Sequence, residues 1–402
     1  MRPIQKFTSS VAAAILVAGG LAFATAAPAQ AKPVGFKQMN SCGTTSKPGF
    51  ARCMAVVRTT VTSLTTSGAA APNAATPSGL SPANLQAAYK LPSSSAGSGQ
   101  TIAIVDAYDD PNAAADLSTY RSYYGLPACT TASGCFKKVS QTGSTTSLPA
   151  KDGGWAEEIS LDIDMVSAIC PNCKILLVEA KTASFANLGA AVNEAAALGA
   201  NAISNSYGGS DAPDSSYGSY YNHPGIAVTA SSGDNGYGAS YPASSHYVTA
   251  VGGTTLKTSS TSRGWTETAW ADAGSGCSSY NTALSGQASF STGCSRRAEA
   301  DVSAVADPAT GVSVYDSYAY QGYSGWLTFG GTSASSPIVA AVYGLAGNAA
   351  SIDNNYPYTH STSLFDVTSG SNGSCPTTQW CKARAGWDGP TGLGTPNGVA
   401  SF

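Results

Sequence analysis

Residues 153–179 read GGWAEEISLDIDMVSAICPNCKILLVE, a helical pattern followed by a short apolar run. In the first part the apolar residues recur with the spacing of a helix, and the pattern stops at Pro171, which cannot continue one. The second part, residues 174–179, has the length and composition of a buried strand. A helix that leads into a buried strand is typical of α/β proteins.

The same alternation continues on both sides of this stretch. Residues 101–106 (TIAIVD) and the later runs ISNSYG, IAVTASSGD and YVTAVGG indicate strands, and Phe185 to Leu198 has helical spacing. This order predicts an α/β fold with a doubly wound, mostly parallel sheet and helices on both faces. Ligands of such sheets bind at the carboxyl ends of strands, so we expect the loops after Val105, Ser206 and Ala230 to build the site.

The first 31 residues have the pattern of a secretory signal peptide. Arg2 and Lys6 are basic, an apolar run follows, and the small residues at 29–31 suit a cleavage site. A membrane anchor is the alternative, although the apolar run is short for a span. A secreted, extracellular protein that leaves the membrane after signal removal is therefore expected.

Two further regions follow the signal peptide. Residues 32–79 are rich in Ala, Ser, Thr and Pro, which predicts a propeptide or a flexible N-terminal segment. Residues 80–402 are expected to form the main domain. Charged residues make up only 11% of the chain, with a net charge of −3. Because no basic stripe is present, we expect no nucleic-acid partner.

Ten cysteines follow the predicted signal peptide. An even number in an exported chain predicts disulfides, although sequence alone does not determine which cysteines pair. The simplest expectation is pairing between neighbours: Cys42 with Cys53, Cys129 with Cys135, Cys170 with Cys173, Cys277 with Cys294, and Cys375 with Cys381. For Cys170 and Cys173, a redox motif or half of a zinc site is the alternative.

A candidate nucleophile lies in residues 330–337, GGTSASSP, just before a helical pattern of small residues. Ser333 is expected at the start of that helix, where the positive end of the helix dipole lies. Pro337 is expected in the first turn, where proline is tolerated. A serine nucleophile needs a base within hydrogen-bonding reach.

No histidine is an obvious base for this serine. Each of the three histidines is expected in a turn or at the surface: His223, His246 and His360. The helix at 153–169 instead carries Glu158 and Asp162, whose spacing of four places both carboxylates on one face. Such a pair is either exposed to water or used. Glu157 and Asp164, on another face, are expected to be solvated.

Three motifs together resemble those of the sedolisins, the serine-carboxyl peptidases. They are Glu-x-x-x-Asp on this helix, SSGDNG at 231–236, and GGTSASSP. The resemblance covers residues 80–402 and implies a subtilisin-like fold. It implies that Ser333 is the nucleophile, that Glu158 takes its proton, and that Asp162 shares a proton with Glu158. It makes Asp234 the oxyanion residue, whereas its local sequence would also suit a turn.

These implied roles have a consequence for pH. A carboxyl group can donate a hydrogen bond to an oxyanion only when it is protonated. Asp234 must therefore be neutral, which requires acid conditions or a pKa raised by burial above its ordinary value of about 4. A glutamate base also works at a pH where histidine would be charged. Both points predict an acidic pH optimum.

The resemblance also implies binding residues. Ser206 and Gly208 follow a strand and would form a wall for an extended peptide, or simply a glycine-rich turn. The stretches LFDVTSG and ARAGWDGPTGLGTPNG resemble the family's calcium loop, which implies one structural Ca²⁺. Two solvated turn aspartates are the alternative. The implied ligands are the carboxylates of Asp366 and Asp388 and the carbonyls of Val367, Arg384 and Gly386.

The sequence thus predicts a secreted, monomeric endopeptidase that acts on peptide or protein substrates and is made as a zymogen. Two alternatives stay open. One is a catalytically inactive subtilisin-fold protein that binds other molecules. The other is an Asp-His-Ser subtilisin relative that would use Asp106 at the end of the first strand, although Asp106 is better explained as a cap of the following turn.

Overall fold

The structure, a computed structural model, describes Met1 and residues 36–43, 47–61 and 76–402. The predicted signal peptide beyond Met1 and the remaining parts of the predicted prosegment lie outside the described residues. From residue 36 onward the described residues belong to one compact unit. None of their helices has the length and apolar character needed to cross a bilayer.

The strands and α-helices follow one another along the whole described chain. The strands are β1 (Phe36–Asn40), β2 (Arg52–Cys53), β3 (Val56–Val61), β4 (Thr101–Ala107), β5 (Phe136–Ser140), β6 (Lys174–Ala180), β7 (Ala202–Asn205), β8 (Tyr207–Ser210), β9 (Ala227–Ser231), β10 (Ser240–Tyr241), β11 (Thr249–Thr258), β12 (Trp265–Ala269), β13 (Gly276–Cys277), β14 (Ala298–Glu299), β15 (Val302–Val305), β16 (Val312–Tyr320), β17 (Tyr323–Gly330), β18 (Leu364–Phe365) and β19 (Thr395–Pro396). The helices are α1 (Pro82–Ala88), α2 (Ala113–Tyr123), α3 (Gly153–Ile169), α4 (Phe185–Ala197), α5 (Asp214–Tyr217), α6 (Thr332–Ala346) and α7 (Tyr356–Thr359).

The largest sheet among the described residues has eight strands in the order β12-β11-β9-β7-β4-β6-β5, with β15 also paired to β11. Its pairings are parallel except that of β11 with β12. Side chains alternate across β4: Ile102 and Ile104 pack with α3 and α6, whereas Ala103 and Val105 pack with α4. The predicted mostly parallel sheet with helices on both faces is confirmed.

The described part of the predicted prosegment is folded. Strand β3 pairs antiparallel with both β1 and β17, and β17 leads directly into α6. Strand β2 pairs antiparallel with β8, the short strand that follows β7. The expectation of a flexible lead-in is therefore wrong for residues 36–43 and 47–61, because their backbones complete sheets of the main domain.

All five disulfides join sequence neighbours, as expected: Cys42–Cys53, Cys129–Cys135, Cys170–Cys173, Cys277–Cys294 and Cys375–Cys381. The pair at Cys170 lies just after the last residue of α3. A bridge at a helix end holds α3 to the start of β6, which is a structural role.

Helix α3 is buried on every side. It packs against α6 and β4 on one side and against α1, α2 and β16 on the others. The expectation that Glu157 and Asp164 are solvated is wrong, because both side chains are fully buried beneath these neighbours. Asp164 Oδ2 accepts a hydrogen bond from the backbone N–H of Tyr315 in β16 at 2.9 Å.

Helix α3 and the segments around it carry buried carboxyl groups that favour acid conditions. Burial raises the pKa of Asp110 to about 7, that of Glu157 to about 7 and that of Asp316 to about 9. Each folded pKa lies above its ordinary value, so these groups stabilise the fold below about pH 4, and that stabilisation is lost as pH rises through 7 to 9.

We expect the unfolding temperature of the Ser333→Ala protein, which lacks the predicted nucleophile, to fall as the pH is raised from 4 to 9. A rise in pKa like that of Asp110 lowers the free energy of unfolding by about 4 kcal/mol once the group is fully deprotonated. Calorimetry across this pH range measures the effect. The variant Asp316→Asn should show a shallower fall, and a stability that rises with pH would contradict the expectation.

Candidate active site

Ser333 is the second residue of α6, as the sequence predicted, and it is fully buried. Its Oγ donates to Glu158 Oε2 at 2.8 Å and lies 3.2 Å from the carbonyl oxygen of Ser206. The backbone N–H groups of a first helical turn have no acceptor within the helix, so that of Ser333 is available to a ligand. The serine and the glutamate predicted from motifs 175 residues apart are therefore in direct contact.

Gly331, before the helix, must be glycine. Its φ is +92°, and a Cβ there would lie 1.8 Å from the carbonyl oxygen of Met54 and 2.8 Å from Asp234 Oδ2. The expectation that Pro337 falls in the first turn is wrong, since it is the sixth residue of α6. Its missing N–H leaves the carbonyl of Ser333 without a helical donor, and Ser206 Oγ lies 3.4 Å from that oxygen.

Glu158 and Asp162 lie together on α3, and both are fully buried. Burial raises the pKa of each well above its ordinary value, and neighbouring carboxyls raise it further. Asp162 Oδ1 accepts from Ser206 Oγ at 2.8 Å, whereas Glu158 Oε1 and Asp162 Oδ2 are buried with no hydrogen-bond partner among the described residues. Two carboxyl groups that raise each other's pKa are not both ionised at the same pH, so the shared proton implied by the resemblance stays a prediction.

A third buried carboxyl group, that of Asp106, forms a cluster with Glu158 and Asp162, although the sequence predicted another role for it. Asp106 ends the central strand β4, is fully buried, and has no hydrogen-bond partner for either oxygen within the described chain. Its charge raises the pKa of both Glu158 and Asp162. The expectation that Asp106 caps the turn is wrong, since Asp110 accepts the turn N–H of Asn112. Its position at the carboxyl end of a central strand is the signal that could have revealed it.

Asp234 lies on the other side of Ser333. Its Oδ1 accepts from the backbone N–H and the hydroxyl of Thr332, each at 2.8 Å, which fixes the carboxyl against the start of α6. Its Oδ2 is buried and has no partner among the described residues, although the residue as a whole is partly exposed. Burial raises the pKa of Asp234 to about 7, against the lowering effect of the Thr332 bonds and of Arg52.

The two predicted binding residues lie at the edge of this site. Ser206 contacts both Asp162 and Ser333, so it is part of the same hydrogen-bonded group. Gly208 lies in β8, where a Cβ would come within 2.9 Å of the Met54 side chain. The edge of β8 is therefore a strand edge against which extended backbone lies, which a simple turn would not offer.

The three histidines lie elsewhere. His223 contacts the carbonyl of Tyr220, His246 that of Thr282, and His360 that of Tyr356. Across residues 76–402, no hydrogen bond joins a histidine to Ser333, Glu158 or Asp106. The geometry gives no support to an Asp-His-Ser arrangement.

In the candidate calcium loop, the two predicted aspartates each accept a backbone hydrogen bond from a residue of the 384–386 segment. Asp366 Oδ2 accepts from Gly386 N at 2.9 Å, and Asp388 Oδ2 accepts from Arg384 N at 3.0 Å. Burial, and to a lesser degree Asp366, raises the pKa of Asp388 to about 7. The carbonyls of Val367, Arg384 and Gly386 accept no hydrogen bond from any described residue. Two mutually repelling carboxylates with unused carbonyls are hard oxygen ligands that fit Ca²⁺.

Comparison with known proteins agrees with this geometry. Residues 151–364 match the subtilase family. The chain is 30% identical over 356 residues to kumamolisin of Bacillus sp. (strain MN-32), covering 78% of this chain and 61% of kumamolisin. The solved structure of Pseudomonas sedolisin, a serine-carboxyl proteinase, in complex with pseudo-iodotyrostatin has a TM-score of 0.67 and 26% identity, covering 80% of this chain and 96% of that one. The chain belongs to the sedolisin family.

Family membership supports the subtilisin-like fold. This chain, however, matches only part of the length of its relatives. A second relative, sedolisin of Pseudomonas sp. (strain 101), is 33% identical over 203 residues, which cover 42% of this chain and 33% of that protein. The chain spans less than two thirds of the length of these relatives. In this chain, Ser333 contacts Glu158, and Thr332, the residue before Ser333, contacts Asp234.

Proposed function

We propose that this protein is a serine-carboxyl endopeptidase that hydrolyses peptide or protein substrates, with its highest activity in acid. The observation that carries the proposal is the hydrogen bond from Ser333 Oγ to Glu158 Oε2 at 2.8 Å, inside a buried carboxyl cluster. Family membership supports a peptidase, and the occupied edge of β8 supports an extended peptide as the substrate.

In the proposed first step, Ser333 Oγ attacks the substrate carbonyl and passes its proton to Glu158. An isolated charge at this depth would be costly, so Asp162 and Asp106 stay protonated and share the single negative charge of the cluster. Glu158 then gives the proton to the departing amine. A water molecule repeats the sequence on the acyl-enzyme, with Glu158 again acting as base and acid.

Asp234 is proposed to donate a hydrogen bond from Oδ2 to the oxyanion of the tetrahedral intermediate. Its Oδ1 is committed to Thr332, so a proton on the carboxyl belongs on Oδ2, the oxygen that has no described partner. The N–H of Ser333 would supply the second donor. Deprotonation near pH 7 would replace this donor with a repelling charge, so activity should fall as the pH rises through that value.

We also propose secretion as a zymogen and one structural Ca²⁺ at the loop of Asp366 and Asp388. The signal-peptide pattern and the five disulfides support export. At the loop, a bound cation would neutralise the two carboxylates, and the carbonyl oxygens of Val367, Arg384 and Gly386 would coordinate it. Arg384 has an ordinary backbone conformation, since it is absent from the residues with positive φ, so its side chain does not oppose this geometry.

Hydrolysis of a peptide substrate should peak in acid and be lost in Ser333→Ala. Glu158→Gln should lower kcat by roughly 10²- to 10⁴-fold, because an amide cannot take the serine proton. Glu157→Gln is the matched control, since it changes the adjacent buried carboxyl of the same helix, and it should stay within a few-fold of the parent. Activity that peaks near neutral pH and survives in Glu158→Gln would refute a carboxylate base.

Two substitutions at Asp234 should separate its hydrogen bond from its charge. Asp234→Ala removes the donor and should lower kcat by about 10²- to 10³-fold. Asp234→Asn keeps a donor at every pH, so its loss should be smaller and its activity should extend to higher pH. The measurement is kcat against pH for the three proteins. An unchanged upper limit in Asp234→Asn would show that another group controls it.

Calcium should stabilise the fold of the Ser333→Ala protein. At about 100 times the dissociation constant a ligand adds about 2.7 kcal/mol, so a chelator should lower the unfolding temperature measurably. The effect should be larger at pH 7 than at pH 4, because protons compete for Asp388. Asp388→Asn should abolish the response, whereas Asp353→Asn, an exposed turn aspartate, should retain it. Equal responses to the chelator in both variants would show that calcium does not bind at this loop.

A further inference from the structure

Residues 51–57 lie in the cleft as an extended strand, and each of them is buried. On one side of Ser333 the strand pairs with β8, with Arg52 opposite Gly208 and Cys53 opposite Tyr207. On the other side it pairs with β17, with Val56 opposite Gly330 and Val57 opposite Phe329. A segment of this chain thus occupies the positions that an extended substrate would take on both sides of the nucleophile.

The peptide bond between Met54 and Ala55 lies between the catalytic groups. The N–H of Met54 donates to the Ser206 carbonyl at 3.2 Å. The Met54 carbonyl oxygen and Asp234 Oδ2 both lie beside the α-carbon of Gly331. The N–H of Ala55 donates at 2.8 Å to Glu158 Oε2, the same oxygen that accepts from Ser333. The carbonyl thus faces the proposed oxyanion residue, and the nitrogen faces the proposed general acid.

The residues on the Met54 side also line an open cavity. A cavity of about 290 Å³ is lined by Met54, Arg52 and the glycine-rich loops around Gly208 and Gly233. Arg52 donates to Asn235 Oδ1 at 3.3 Å, next to Asp234. The charge of Arg52 lowers the pKa of Asp234, so the segment acts on the oxyanion residue as well as covering it.

The Met54 side of this bond is held to the Ala55 side in two steps, a disulfide within the Met54 side and backbone pairing across the bond. Cys53, before Met54, is linked by a disulfide to Cys42. The neighbouring Ser41 donates its N–H to the Ala55 carbonyl at 3.0 Å, and the preceding strand β1 pairs with β3. If the Met54–Ala55 bond were cut, the new carboxyl side would therefore stay attached, through the disulfide and β1, to the strand that carries the new amino group.

We propose that residues 36–61 are a built-in inhibitor, in which the Cys42–Cys53 disulfide makes the Met54–Ala55 bond resistant to net cleavage by Ser333. This inference rests on the proposed peptidase function and names a regulator of the same site. Ends that are held together react with each other at a high effective concentration, so the tether favours rejoining over escape.

The chemistry balances without a further reactant. Ser333 Oγ forms an ester with the Met54 carbonyl carbon as the C–N bond to Ala55 breaks, and the serine proton passes through Glu158 to the Ala55 nitrogen. While β3 holds this amine in place, it can attack the ester and reform the peptide bond by the reverse proton path. Water completes hydrolysis only when the amine moves away from the ester, which the pairing of β1 with β3 opposes, because the disulfide ties the β1 segment to the acyl side.

The test compares the full chain with the double variant Cys42→Ser/Cys53→Ser in acid. Intact mass measures cleavage between Met54 and Ala55, and a small external peptide measures activity. We expect the double variant to be cut at this bond on the order of tenfold faster than the parent, with peptide hydrolysis rising in parallel. Cys129→Ser/Cys135→Ser removes a disulfide that closes a short loop before β5 and should cleave at the parental rate.

Adding Ser333→Ala or Ala55→Pro to the double variant should abolish cleavage at this bond. The first removes the nucleophile, and the second removes the N–H that faces Glu158. Should the double variant fail to fold, Ser41→Pro replaces it, since it deletes the donor to Ala55 and keeps the disulfide. Faster cleavage in Ser41→Pro than in the parent then supports the inference.

The experiment distinguishes failure of the inhibitor proposal from failure of the proposed peptidase function. If parent and double variant hydrolyse the external peptide equally and the Met54–Ala55 bond is cut no faster without the disulfide, the inhibitor is overturned and the peptidase stands. If neither protein cuts itself or any peptide between pH 2 and pH 8, the proposed function fails and the inhibitor fails with it.

Discussion

A carboxyl group buried without a cation beside it is stable only when it is protonated, and this constraint controls both the site and the surrounding core. Helix α3 is buried on all sides and carries Glu157, Glu158, Asp162 and Asp164. Asp106 adds another acid at the end of β4. Water is excluded, so these groups compete for protons and the cluster carries little charge. A serine activated here depends on a carboxylate whose charge is shared, which favours acid conditions.

The start of α6 converts this constraint into geometry. Gly331 has a backbone conformation that only glycine adopts easily, and its missing side chain leaves room for Asp234 and for a carbonyl beside it. Thr332 fixes Asp234 with two hydrogen bonds, and Ser333 then faces Glu158. Ser206 joins the end of β7 to both sides of the cluster through Asp162 and Ser333. The proposed nucleophile, base and oxyanion residue are thus positioned by one helix start and two strand ends.

The N-terminal strands give the cleft a second level of organisation. A strand that pairs with β8 and β17 uses the backbone hydrogen bonds that a peptide substrate would use, so its own chain competes with substrates for the site. The disulfide at Cys53 and the pairing of β1 with β3 make this competitor part of the fold. Arg52 extends its influence to Asp234, which links occupancy of the cleft to the charge of the proposed oxyanion residue.

The sequence by itself determined the elements that depend on short spacings: the alternating strands and helices, the neighbouring cysteine pairs, and the motifs that contain Ser333, Glu158, Asp162 and Asp234. Local patterns suffice there, because periodicity and turn residues act over a few positions. The tertiary structure alone decided which acids are buried, since Glu157 and Asp164 lie on a helix that other segments cover on every side. It also brought Asp106 to the cluster and residues 51–57 into the cleft, because those contacts join parts of the chain that no local pattern relates.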